Sequence, residues 1–226
     1  MGSTNRSDER RPVPEVSGRR EHARHRFLEA VDDLPLLSAT PDSWAELAAR
    51  RLPEFLADHA ICEQQAALFG LNLIAHYPGD AELVDRMTAL AAEETTHLRR
   101  VWQLLHRRGG QPSRRRPNPY VQALHRAIAR DSEQRLKCDR LLVGALIEAR
   151  SCERFTRLLA TIADTDEEVA ALLFDLGPAE KRHWQAFHAL ASRDVDPTWF
   201  EAHWRGWLER ERDLMASRGI QPSVHG

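Results

Sequence analysis

Two stretches of this chain repeat one arrangement of side chains, and that repeat restricts its possible folds more than any other feature. Glu63 is followed by a Pro-Gly turn and then by Glu94-x-x-His97; Glu153 is followed by a second turn and then by Glu180-x-x-His183. On a helix, residues i and i+3 project from the same face, so each Glu-x-x-His presents a carboxylate and an imidazole side by side. The separations are 94 − 63 = 31 and 180 − 153 = 27 residues. In an antiparallel hairpin about half of each separation climbs to the turn and half returns. At roughly 1.5 Å per residue, the lone Glu and the Glu-x-x-His therefore arrive at similar heights.

One such pair arises easily by chance in a charged helical chain; two, each preceded by a Glu on the previous helix, do not. All six residues fall within apolar stripes, where an unpaired charge would be costly. A Glu from each of two helices and a Glu-x-x-His from each of two others is the ligand set of a carboxylate-bridged di-iron bundle. The expected fold class is therefore all-α: a ferritin-like four-helix bundle with additional flanking helices. The expected metal ligands are Glu63, Glu94, His97, Glu153, Glu180 and His183, with no catalytic residue beyond them. Carboxylates also suit Mn, so ligand type alone leaves Fe against Mn open. Glu148 competes with Glu153, because 180 − 148 = 32 lies nearer the first separation. The local repeat, Asp58-x-x-x-Cys62-Glu63 against Glu148-x-x-x-Cys152-Glu153, favours Glu153. It leaves Asp58 and Glu148 as supporting groups that orient imidazoles or pair with Arg150. Cys62 and Cys152 point about 100° away from the neighbouring ligands and read as packing residues.

The remaining pattern is helical. Thr40-Pro41 starts a short helix to about residue 51, and Pro53 starts the next, with a stripe at 56, 60, 63, 67, 71 and 74. Further helices are predicted over about 81–108, closed by Gly109-Gly110, and over 120–130 and 132–163. Another runs to about 192, with a kink or break at Gly177-Pro178, and a last one starts at Asp196-Pro197. Aromatics at 200, 204 and 207 would seal the bundle's flank, and Leu34, Leu36 and Leu37 would dock on it. Residues 1–26 read as a basic, disordered arm, 27–216 as the bundle domain, and 217–226 as a loose tail. The net charge of −2 over 226 residues argues against a bulk nucleic-acid binder, and no DNA partner is expected. Three cysteines without C-x-x-C spacing suit reduced thiols. With no apolar run of about 20 residues and no apolar leader, a cytoplasmic protein without a membrane partner is expected.

LLVGALIEARSCERF, with HAICE upstream and the two Glu-x-x-His motifs, resembles the MiaE family of tRNA hydroxylases over about Leu36 to Leu190. The resemblance implies a non-haem di-iron monooxygenase. Two Fe ions, O₂ and an external electron donor would hydroxylate the isopentenyl group of 2-methylthio-N6-isopentenyladenosine in tRNA. It carries the ligand role to the same six residues. For the tRNA, the expected contacts are Arg107, Arg108, Arg114, Arg115 and Arg116, with Tyr120 placed to stack on a base. Two alternatives stay open: an oxygenase of the same scaffold acting on a small molecule, and a ferritin-like iron-storage or peroxide-handling protein.

Overall fold

The computed structural model describes residues 33–111 and 117–225. The arm expected at 1–26 and Arg114, Arg115 and Arg116 lie outside the described residues. Seven helices follow in order: α1 (Asp42–Arg50), α2 (Leu52–His76), α3 (Ala81–Arg107), α4 (Pro119–Arg126), α5 (Glu133–Ile162), α6 (Glu167–Ser192) and α7 (Pro197–Ala216). No strand occurs among the described residues. The fold is all-α, as the periodicity required.

Local chemistry sets the boundaries. Asp80, Asn118, Ser132, Asp166 and Asp196 each accept a backbone N–H of the first turn of the following helix, satisfying donors that a helix start leaves orphaned. Gly109 adopts φ +73, the left-handed conformation that closes α3. Two expectations differ. Thr40 does not cap α1; Pro41 holds the cap position without a side-chain bond. The Gly177-Pro178 step does not divide α6, which runs unbroken with the proline inside it. The Gly177 carbonyl accepts the Cys152 thiol at 3.4 Å.

The helices α2 and α3 pack as one antiparallel hairpin, α5 and α6 as the other, and α3 meets α6 where the hairpins join. On the opposite side, α2 and α5 face each other across a cavity. Two apolar clusters fill the bundle. One gathers Trp44, Phe55, Phe155 and Leu173 toward the α1 end; the other gathers Leu83, Leu142, Phe187 and Trp207 toward the far end. Glu63, Glu94, Glu148 and Glu180 lie on the helices between these clusters. Phe200, Trp204 and Trp207 are buried on the flank as expected. The tail is not loose: Ser223, Val224 and His225 are buried, because side chains of the bundle bond its backbone. Trp44 and Arg154 donate to the carbonyls of Ser223 and Val224, and Val224 N–H donates to Asp58.

Candidate metal centre

The bundle brings five of the six expected ligands into one cluster and substitutes the sixth. Glu63, Glu94, His97 and Glu180 offer ligand atoms within 4.8 Å of one another, and so do Glu94, Glu148, Glu180 and His183. Glu94 and Glu180 belong to both groups. The geometry is thus two adjacent positions sharing two carboxylates, each completed by one further Glu and one His.

Glu153 is the correction. Its carboxylate accepts the Thr40 N–H at 2.9 Å and the Thr40 hydroxyl at 2.5 Å, and bonds Arg150 and Arg157 at 3.1 Å each. Five residues separate it from Glu148, about 500° of helix and so about 140° around the axis, which turns it toward α1. Height in the bundle, which favoured Glu148, outweighs the local Cys-Glu repeat. Cys62 and Cys152 belong to neither group and form no disulfide, and burial pushes the Cys152 thiol up to about 12.

Both oxygens of Glu94 and the Nδ1 atoms of His97 and His183 are buried without a hydrogen-bond partner. His183 Nδ1 stands 2.6 Å from Glu94 Oε1, but the two are not aligned as donor and acceptor. Orphaned buried polar atoms are rare because each costs its full desolvation. Here they converge, and a cation between them would satisfy them all. Electrostatics agrees. Burial, reinforced by neighbouring carboxylates, holds Glu63 and Glu180 well above the usual carboxylate range and pushes Glu148 up to about 7. Burial pulls the His183 imidazole down, but Glu94, Glu148 and Glu93 lift it to about 9. Burial alone would raise Glu94 too, but Glu63, His183 and His97 beside it hold its carboxyl well below the usual range, so the other three carboxylates retain protons unless further positive charge arrives. The cluster is compatible with metal binding.

Groups outside the cluster fix its orientation. His183 Nε2 meets Glu93 Oε2 at 2.9 Å, and Arg182 holds the same carboxylate. His59, which burial keeps neutral by lowering it to about 3, bonds Glu63 through Nε2. Neither His59 nor Glu93 stood out in the sequence, although each lies one helical turn or one residue from a ligand. Asp58 accepts the Val224 N–H and so supports the tail.

A cavity of about 550 Å³ opens beside the four carboxylates. Phe69, Ile147 and Val121 contribute apolar lining, and Gly144 and His225 of the tail line it too. His225 stacks flat on Tyr120 at 5.3 Å between centroids, and its Nε2 lies 3.0 Å from Ser151 Oγ. Tyr120 is fully buried and donates its hydroxyl to Glu211, so it cannot stack on a base. Arg107 pairs with Glu168, and Arg108 with Asp166 and Glu168, so these two expected RNA contacts brace α3 against the start of α6.

Comparison with known proteins follows the same line. A family model described as tRNA-(MS[2]IO[6]A)-hydroxylase (MiaE) matches residues 27–226. The tRNA 2-(methylsulfanyl)-N(6)-isopentenyladenosine(37) hydroxylase of Pseudomonas putida is 39% identical over 152 residues, 67% of this chain and 72% of that one. The enzyme of the same name from Salmonella typhimurium is 28% identical over 227 residues, 79% of this chain and 82% of its own. Among solved structures, protein 43 with aldehyde deformylating oxygenase activity from Synechococcus superposes with a TM-score of 0.77. It is 28% identical, with 84% of this chain and 95% of that chain covered.

Proposed function

The chain belongs to the MiaE family of tRNA hydroxylases, and we propose that it hydroxylates the isopentenyl group of 2-methylthio-N6-isopentenyladenosine at position 37 of tRNA. The observation that carries this reading is a pair of adjacent carboxylate-imidazole positions opening onto a largely apolar cavity. Glu63 and His97 would hold one iron ion, Glu148 and His183 the other, with Glu94 and Glu180 shared between them. Once bound, the two ions would supply the activation of O₂ and the oxidation of a C–H bond. One oxygen atom enters that bond and the other leaves as water, which takes two electrons and two protons from an external donor.

The chain's own residues place the substrate. Phe69, Ile147 and Val121 would receive the branched apolar substituent and keep bulk water from the reacting carbon. Gly144 leaves room beside Phe187, where a Cβ would come within 2.9 Å of the ring. Glu93 holds His183 and His59 holds Glu63, so neither has to reorganise during the reaction. None of the three cysteines forms a disulfide, which suits work on an RNA in a reducing compartment.

Mass analysis of tRNA nucleosides from cells with and without the gene tests the proposal. The expected result is loss of the nucleoside one oxygen heavier, with its unhydroxylated precursor accumulating. Unchanged nucleosides in cells that make the precursor would overturn it. They would favour the small-molecule oxygenase reading, which the Synechococcus structure supports.

A further inference from the structure

Twelve successive residues of α2, Gln64 to Ala75, include no charged side chain, although charged residues make up 29% of the chain. This is not a buried segment. Gln64, Gln65, Leu68, Leu71, Asn72 and Ala75 face solvent, and Leu68 and Leu71 are 46% and 50% exposed. The apolar stripe leads Leu71 to be expected inside, yet the buried line of α2 passes instead through Ala67, Gly70 and Leu73. Other outer surfaces of the bundle are laced with ion pairs: Arg86–Glu82, Arg100–Asp175, Arg107–Glu168 and Arg193–Glu82. A neutral face with two large exposed leucines stands out against that background.

Its position gives it a role. Gln64, Gln65, Leu68 and Asn72 are at once solvent-exposed and part of the cavity wall, so this face carries one rim of the cavity mouth. Gln122 and His125 of α4 form the other rim, and His125 meets Phe69 edge-on at 5.8 Å. A group entering between these rims reaches the carboxylates that line the same cavity.

Resting on the tRNA reading above, we infer that the neutral face of α2 is where the unpaired bases next to the modified adenosine lie during reaction. The argument is continuity. A nucleotide whose substituent occupies the cavity must stand on the rim, and its chain neighbours cannot be far from it. Unpaired bases offer flat apolar faces and hydrogen-bonding edges, which suit exposed leucines and carboxamides. Phosphates would call for guanidinium or ammonium groups, and this face has none. A protein electron donor seated on the same face would collide with the bound RNA.

The test uses the iron-loaded full chain and an RNA stem-loop carrying the modified adenosine in its loop. Leu68→Glu/Leu71→Glu places two charges on the face at positions already exposed. Thr88→Glu/Thr95→Glu places the same charge on the outer side of α3, away from the mouth. The first variant is expected to keep its iron content and melting temperature while losing roughly tenfold or more in stem-loop affinity, the loss of at least one good base contact. The second should bind like the parent. Equal binding by all three proteins would overturn the inference, as would an equal loss in both variants, which would be general charge repulsion. Unimpaired RNA binding with slowed electron delivery in the first variant would also overturn it and assign the face to the donor. A parent protein that neither binds nor hydroxylates the stem-loop would instead refute the tRNA reading itself.

Discussion

The side chains that separate a metal site from its scaffolding stand five residues apart on one helix. Glu148 points into the cluster; Glu153 points at Thr40, Arg150 and Arg157. Substitution should resolve their roles into different measurements. Glu148→Gln is expected to remove the terminal carboxylate of one position and halve or abolish iron uptake, read as iron per chain after reconstitution. Glu153→Gln is expected to keep full iron content and to lower stability by about 2 kcal/mol through weakened charge-assisted bonds. For a domain of this size that is a fall in melting temperature of roughly 4–8 °C. The opposite pattern, iron lost in Glu153→Gln and kept in Glu148→Gln, would reverse the assignment. Five of the clustered positions were legible because spacing encodes height on a helix and stripe membership encodes direction. The sixth was obscured by a local repeat that preserves sequence context but not azimuth. One partner of Glu153, Thr40, lies 113 residues away, a distance in sequence that no periodicity reports.

Among the elements, the helices were legible because caps, turns and apolar periods all act within a few residues. The tail was not, since QPSVHG has neither period nor length enough to signal burial. Its place is decided by groups elsewhere in the chain. Within the string IEARSCERF, Arg150 braces Glu211 and Glu153, Ser151 meets His225, and Arg154 binds the Ser223 and Val224 carbonyls while its guanidinium lies 4.8 Å over Trp44. A motif that identifies the family thus serves largely to hold two distant segments against α5. Deleting residues 223–226 would strip the buried Arg154 and the Trp44 indole N–H of these acceptors. The expected cost is on the order of 3 kcal/mol, because a buried charge left with fewer partners retains its desolvation penalty. Thermal melting should drop by roughly 6–12 °C, and tryptophan emission should shift toward that of a wetter indole. Unchanged melting and emission would show that the seated tail is not part of the stable fold.

At the scale of the whole molecule, four buried carboxylates lie where the two apolar clusters and the two hairpins meet, so the fold carries a charge problem at its centre. Without a cation, protonation is the only local remedy, and this gives stability a definite pH dependence. The Glu148 carboxyl, raised to about 7, keeps a proton that the unfolded chain releases near 4.5; its contribution is full below that value and lost by about 7. The His183 imidazole, raised to about 9, contributes fully below 6.5 and loses its contribution as pH climbs through 9. Glu63 and Glu180, both raised, act in the same direction as Glu148. His59, lowered to about 3, opposes this only up to its ordinary value of 6.5, so iron-free protein is expected to melt at progressively lower temperature as pH rises from about 7 to about 9. Iron bound at the cluster would reverse the sign, because ligands must shed their protons to bind it and affinity then grows with pH. An ion held at a thousand times its dissociation constant adds about 4 kcal/mol, and it joins residues of both hairpins. The gap in melting temperature between loaded and iron-free protein should accordingly widen steadily across that range, measured by calorimetry on matched samples. A gap independent of pH would mean that the carboxylates are already ionised in the empty bundle and that something other than protons balances them.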